Sequence, residues 1–200
     1  MDWTLITKDK YVVSEWSGGT TTQLAIYPES ALYADRDFLW RLSSAEVRTP
    51  ESDFTPLPDY DRLISVVSGK MDLAVGGAGH VALEPLEVFA FDGGTPVKSR
   101  GLCSDFNLMM RKGKCRGTIE TFELGDGCSA VWMPCVSEVY THCKCLHLAI
   151  YCTCGEVLLP DEDMAAHEGE LLLCRSGAYS SIQLRSSTGC IIFAICVELL

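Results

Sequence analysis

The feature that most constrains this chain is its punctuation. Gly, Pro, Asp and Ser clusters interrupt it at short intervals, and no stretch sustains a helical period. Between the breaks lie runs rich in β-branched and aromatic residues, at 24–27, 38–47, 63–67, 71–75, 88–91 and 106–110. The second half adds 117–124, 130–133, 146–152, 170–174, 180–184 and 190–197. Residues 161–168 alone read as one turn or a short helix. Many short strands with regular turns predict an all-β barrel or sandwich.

Composition narrows the function classes. With 200 residues, 48% of them hydrophobic, the chain can bury a core and is not disordered. Apolar runs such as 171–174 and 190–197 fall far short of the roughly 18 residues of a spanning helix. Residues 1–11 carry charges and no apolar stretch, so no signal peptide is expected, and the expected location is cytoplasmic with no membrane partner. Sixteen basic against 27 acidic residues give a net charge of −11, and no basic run faces phosphates, which argues against nucleic acid. The acidity serves solubility and leaves a locally positive pocket open to an anion.

Eleven cysteines, an odd number, fall between Cys103 and Cys196 and read as reduced, largely buried thiols. The densest group is Cys143, Cys145, Cys152 and Cys154. Its C-x-C spacing departs from the usual C-x2-4-C of structural zinc. On one strand, Cys145 and His147 would face one way and Cys152 the other. No metal and no other cofactor is expected.

A weak internal repeat divides the chain. Gly69-Lys70-Met71-Asp72-Leu73 precedes Leu83 to Phe89, and Gly155-Glu156-Val157-Leu158-Leu159 precedes His167 to Leu172. Each is a glycine-led strand, a turn, then an acidic residue entering an apolar strand. Two β-barrel halves, 1–114 and 115–200, would explain it. The rhythm from Gly69 to Gly94 is that of a cupin, a small jelly-roll barrel. Gly79, Pro85 and Glu87 follow a metal-cupin skeleton, yet Ala90 stands at its ligand position and Gly94 at its Asn position. No two of the four histidines are one residue apart, so a metal-dependent dioxygenase or isomerase is disfavoured.

The informative polar groups lie in the first half. In Trp16-Ser17-Gly18-Gly19-Thr20-Thr21-Thr22 the glycines permit a sharp turn, and the hydroxyls either bind a carboxylate or cap the loop. On a strand through 38–47, Leu39, Arg41, Ser43, Ala45 and Val47 share a face. That face is too polar for a sealed core, and the Arg41 fork suits a carboxylate. Trp40 then points to the core. Asp61-Arg62 enters an apolar run as an ion pair or rim feature. From Asp105 to Arg111 strict alternation aligns Asp105, Asn107, Met109 and Arg111, spaced about 7 Å apart. The chain has no G-x-S-x-G elbow, P-loop or dinucleotide fingerprint, and 76–79 reads as a hairpin turn.

Taken together these segments resemble the HutD/Ves family. The motifs are W-x-G-G-x-T at Trp16 to Thr21, Pro28, and F-x-W-R-x-S-x-A at Phe38 to Ala45. Phe54, Pro58, Asp61-Arg62 and Gly69 follow, then F-x-F-D-G at Phe89 to Gly93, Gly101, and D-F-N-x-M-x-R at Asp105 to Arg111. They cover roughly residues 3 to 115. The resemblance implies an all-β bicupin of two jelly-roll-like barrels without a catalytic metal. It also implies binding of a small carboxylate metabolite, formylglutamate- or urocanate-like, in a role regulating histidine utilisation or a stress response.

The expected ligand site is Thr20, Arg41, Ser43, Asp61, Arg62, Asp92, Asn107 and Arg111, with Arg41 and Arg62 clamping carboxylates and Asn107 reading an amide or formyl group. Arg111 is either a third cation or the partner of Asp105. Two other readings stay open. One is a metal-independent, isomerase-like cupin enzyme with Asp92 or Asp105 as base. The other is an interaction module, with a possible homodimer, built on the apolar 191–200.

Overall fold

The computed structural model describes residues 2–76, 79–134, 146–175 and 181–200. In chain order its strands begin with β1 (Trp3–Ile6), β2 (Val12–Trp16), β3 (Gly19–Tyr27), β4 (Trp40–Val47), β5 (Glu51–Asp53) and β6 (Tyr60–Gly69). Next come β7 (Met71–Val75), β8 (Gly79–Leu83), β9 (Val88–Asp92), β10 (Val97–Arg100), β11 (Cys103–Arg111) and β12 (Cys115–Leu124). The rest are β13 (Ser129–Trp132), β14 (Leu146–Leu159), β15 (Met164–His167), β16 (Leu171–Cys174), β17 (Ile182–Arg185) and β18 (Cys190–Leu199). Among the described residues helix is confined to short 3-10 turns, so the all-β expectation holds. No helix among the described residues is long and apolar enough to cross a membrane.

The chain divides into two compact units, Tyr11–Lys114 and Met1–Lys10 with Cys115–Leu200. The first ten residues therefore go with the second unit and not with 11–114, because β1 pairs with β16. In Tyr11–Lys114 the strand orders are β2-β3-β4-β11-β6-β9 and β5-β10-β7-β8. The two sheets share one core: Val47, Ile64 and Val66 from the first pack with Met71, Leu73, Val75, Leu83 and Val97 from the second. Alternation of buried and exposed residues along β7 and β10 is what a half-solvated strand requires. Among the described residues these pairings give facing sheets rather than a closed ring of strands.

The other unit repeats the pattern. β12-β18-β14-β16 matches β4-β11-β6-β9, and β13-β17-β14-β15 matches β5-β10-β7-β8. One long strand, β14, does the work that β6 and β7 share. The corner is a glycine in each case. Gly69 and Gly155 have φ of 85° and 76°, and an added Cβ would meet the Leu102 oxygen at 2.3 Å or the Gly189 oxygen at 2.0 Å. Only glycine allows that approach with positive φ. Cys103 lies opposite the first corner and Cys190 opposite the second, and each pairing then shifts by one bulge. The faint sequence repeat is this shared corner.

Local differences from the sequence reading have simple causes. Residues 161–168 form a 3-10 turn, Pro160–Glu162, and then β15, because pairing with β14 outweighs the local helical preference. Residues 146–152 continue through Cys154 and Gly155 as one strand, since the bulge absorbs the break. The threonines after Gly19 belong to β3, and only Ser17 and Gly18 lie between it and β2. Cys143 and Cys145 of the C-x-C reading lie outside the described residues, as do Gly77 and Ala78 of the hairpin turn. The β7–β8 pairing around those two is antiparallel.

Candidate functional site

In the Tyr11–Lys114 unit, β11 runs between β4 and β6. Register places Met109 opposite both Arg41 and Arg62, and Asn107 opposite both Ser43 and Ile64. With strands about 4.8 Å apart, the two arginine backbones stand roughly 10 Å from each other across β11. Their side chains rise from one face into a cavity of about 440 Å³, which Ser43, Asp105, Asn107 and Met109 also line. That volume falls within the range of small-molecule sites, about 300–1,000 Å³.

Each arginine is held differently. Arg41 is 4% exposed; its Nε donates to Gln23 Oε1 at 2.8 Å and its Nη1 to Ser43 Oγ at 3.0 Å. Its guanidinium lies 4.2 Å from the Tyr33 ring centre, and that of Arg36 lies 3.6 Å from the same ring. Arg62 is 7% exposed, and its guanidinium lies against the Phe54 and Phe91 rings, at 4.9 and 5.0 Å from their centres. These aromatic contacts favour the cations while leaving N–H donors to be satisfied. The Arg62 Nε and the Asn107 Oδ1 are buried and have no hydrogen-bond partner within the protein. Orphans of this kind cost free energy unless a ligand or water meets them.

The electrostatics follow from burial. It lowers both Arg41 and Arg62 to about 10, so both stay cationic at neutral pH. Burial pushes the Asp105 carboxyl up to about 7, against the pull of the Arg62 charge and a hydrogen bond to the Ala45 backbone.

Of the sequence-expected residues, the cavity brings together Arg41, Ser43, Arg62 and Asn107. Thr20 is not among its lining; alternation along β3 gives that place to Thr21. Asp61 is exposed and lies opposite Met110 and Asp92, on the other face from Arg62. Asp92 is exposed too, accepting from Lys112 Nζ at 2.6 Å and the Gly94 N–H at 2.7 Å as a turn clasp. Arg111 is neither a third cation in the cavity nor the partner of Asp105. Its Nε donates to the Phe38 carbonyl at 3.2 Å and its Nη2 to the Arg36 carbonyl at 2.5 Å, bracing the segment before β4.

Sequence reasoning missed Trp16, Gln23, Tyr33, Arg36 and Phe54. Tyr33 and Arg36 stand outside any strand, where no periodicity reports on them; Arg36 even has φ of 56°. Trp40 packs in the core, stacked on Tyr27 at 5.9 Å. Among the described residues, no three His, Cys, Asp or Glu side chains are placed to share a metal ion.

The model of the HutD family matches residues 8–191. The chain belongs to the HutD family. Protein Ves of Cronobacter sakazakii is 32% identical over 117 residues, which span 55% of this chain and 61% of that protein. An uncharacterised 21.2 kDa protein from the hutC 3′ region of Pseudomonas putida is 33% identical over 99 residues, or 48% of this chain and 50% of that one. The chain thus spans between half and two thirds of the length of these two relatives. The solved structure of HutD from Pseudomonas fluorescens superposes with a TM-score of 0.73 at 22% identity, covering all of both chains. The chain therefore has the cupin-like, all-β fold of HutD proteins.

Proposed function

We propose that this HutD-family protein binds a small carboxylate metabolite in the cavity of residues 11–114. One observation carries the reading. Two buried arginines line one cavity together with Asn107, and the protein leaves Arg62 Nε and Asn107 Oδ1 without hydrogen-bond partners. A carboxylate meets the guanidinium groups, and a neighbouring N–H meets the Asn107 oxygen. Formylglutamate has both features, and urocanate has a carboxylate and a ring nitrogen. The fold reading is a bicupin of two jelly-roll halves, one of which holds the site. The role is regulatory, in histidine utilisation or a stress response, and the protein works in the cytoplasm. The hutC neighbourhood in the name of the P. putida relative supports the first of these roles.

The test is a thermal-shift titration with formylglutamate, urocanate, glutamate and histidine. A ligand that binds only the native state raises the melting temperature as its concentration passes the dissociation constant. Arg41→Ala and Arg62→Ala should each abolish most of the shift while the protein stays folded. A full shift in both variants would remove the arginines from the site.

A further inference from the structure

Asp105 is the cavity group that a carboxylate-binding reading leaves unused, and it stands where a second anion is unwelcome. It lies on the same face of β11 as Asn107 and Met109, is 6% exposed, and lines the cavity. Among the described residues no ion-pair contact joins it to an arginine, although Arg62 is the cation that acts on it most.

Its charged and titratable surroundings are few. Arg62 comes from β6, Arg41 from β4, and Cys103 from its own strand. Tyr33 and Arg36 come from the segment before β4. Asp53, at the end of β5, is exposed and paired with Lys98 at 3.5 Å. β3 offers the neutral Thr21, and β5 offers Ser52. The fold itself has no need of a carboxyl here. Counting from the matching corners, Ile192 occupies this position in the other unit.

A ligand carboxylate on Arg62 changes the balance. It offsets the cation that favours the ionised form of Asp105 and sets a second negative charge beside it. Two carboxylates sharing a dry site do not both stay ionised. We propose that Asp105 binds the ligand as an acid, taking up one proton when a carboxylate docks on Arg62 and donating its O–H to the bound group. This rests on the cavity being the ligand site. The proton comes from solvent, one O–H bond forms on Asp105, and the ligand keeps its charge.

The sign is fixed. In the free protein Asp105 titrates at about 7, and the bound anion raises that further. Affinity is then flat at pH values well below 7, where the acid is already protonated. Above 7 it falls by up to tenfold per pH unit until the bound form also ionises.

The test is titration calorimetry with glutarate and N-formylglutamate between pH 6 and 8.5, in phosphate and in Tris. The two buffers differ in ionisation enthalpy, so the difference in heat counts protons. At pH 8 the wild-type protein should take up close to one proton per ligand. Asp105→Asn, a neutral stand-in for the acid, should take up none, lose the pH slope and bind at pH 8 at least as tightly as wild type. The wild-type proton count decides the matter even if that variant folds poorly. Binding without proton uptake, or an unchanged slope in Asp105→Asn, overturns the proposal and leaves the cavity as the ligand site. Failure of both acids to bind wild type or variant at any pH overturns both readings together.

Discussion

The two units share their strand order and even their bulge, yet they fill the same inner positions with opposite chemistry. Register from Gly69 and Gly155 pairs Arg62 with Leu148, Asp105 with Ile192, and Asn107 with Ala194. From β4 and β12 it pairs Arg41 with Thr118, Ser43 with Glu120, and Ala45 with Phe122. Leu148, Ile192 and Ala194 belong to one apolar cluster with Ile150, Cys152, Cys174 and Cys196. Phe122 packs against that cluster, and Glu120 accepts the Trp132 indole N–H at 2.8 Å. On the two strands that carry Arg62, Asp105 and Asn107, the fold therefore stands with apolar residues at the matching places; at the edge strand Thr118 and Glu120 remain polar. A buried guanidinium, carboxyl and amide cost desolvation that an apolar replacement avoids, and they occupy these positions only in the unit proposed to hold the ligand site. The cysteines of the second unit are part of the same contrast, since several serve as small apolar filling.

The sharpest way to break this comparison is to exchange chemistry between matching positions. Leu148→Arg should place an uncompensated charge in a sealed core and cost about 3–5 kcal/mol, read by urea denaturation. Tolerance of that arginine would mean that the second unit has a cavity as well. The reverse exchange, Arg62→Leu with Asp105→Ile and Asn107→Ala, should leave stability unchanged or raise it by about 1–4 kcal/mol. It should also abolish every carboxylate-induced thermal shift. A large loss of stability would make the polar set structural and end the argument from equivalence.

Smaller in effect, and a way to sharpen the contrast, is the pH dependence of stability. Burial raises Asp105 from its ordinary 3.8 to about 7, so the stability tied to its proton is complete below about 4 and is lost as pH rises through 7. His147, buried in the other unit, is lowered from 6.5 to about 4 by burial and by the nearby Arg175 charge. Its contribution is complete above 6.5 and is lost as pH falls through 4. Relative to wild type, Asp105→Asn should gain up to about 1.4 kcal/mol per pH unit between pH 4 and 7 and then level off. Denaturation curves at pH 5, 6, 7 and 8 would check it, and a constant difference would show that Asp105 titrates normally.

Much of this was written along the chain. The all-β class followed from the spacing of the turn residues, and β12, β13, β14, β16, β17 and β18 of the second unit were placed by their apolar runs, whereas β1 and β15 were not. Arg41 and Ser43 were legible because strand parity is local, and the same rule put Trp40 in the core. Parity also aligned Asp105, Asn107 and Met109, but it could not see that the strand ends at Arg111, where the guanidinium turns to backbone carbonyls. Asp61 and Asp92 looked like site residues because of their motif neighbours. Parity already separates Asp61 from its neighbour Arg62, whereas the face of Asp92 was decided by its pairing with Asp61, and pairing is not local. Tyr33 and Arg36 had no signal at all, since a loop has no period.

What the sequence determined by itself is thus what a single strand or turn can express: alternation, a sharp corner at glycine, an apolar run, and the family motifs that order them. What only the tertiary structure decided is which strands flank β11, and hence that Arg41 and Arg62 reach one cavity from opposite sides of Met109. It also decided that the Arg62 Nε and Asn107 Oδ1 end without partners, and that Leu148 stands where an arginine stands in the other unit. Those are statements about residues far apart in the chain, and they become true only when hydrogen-bonded register fixes one strand against the next.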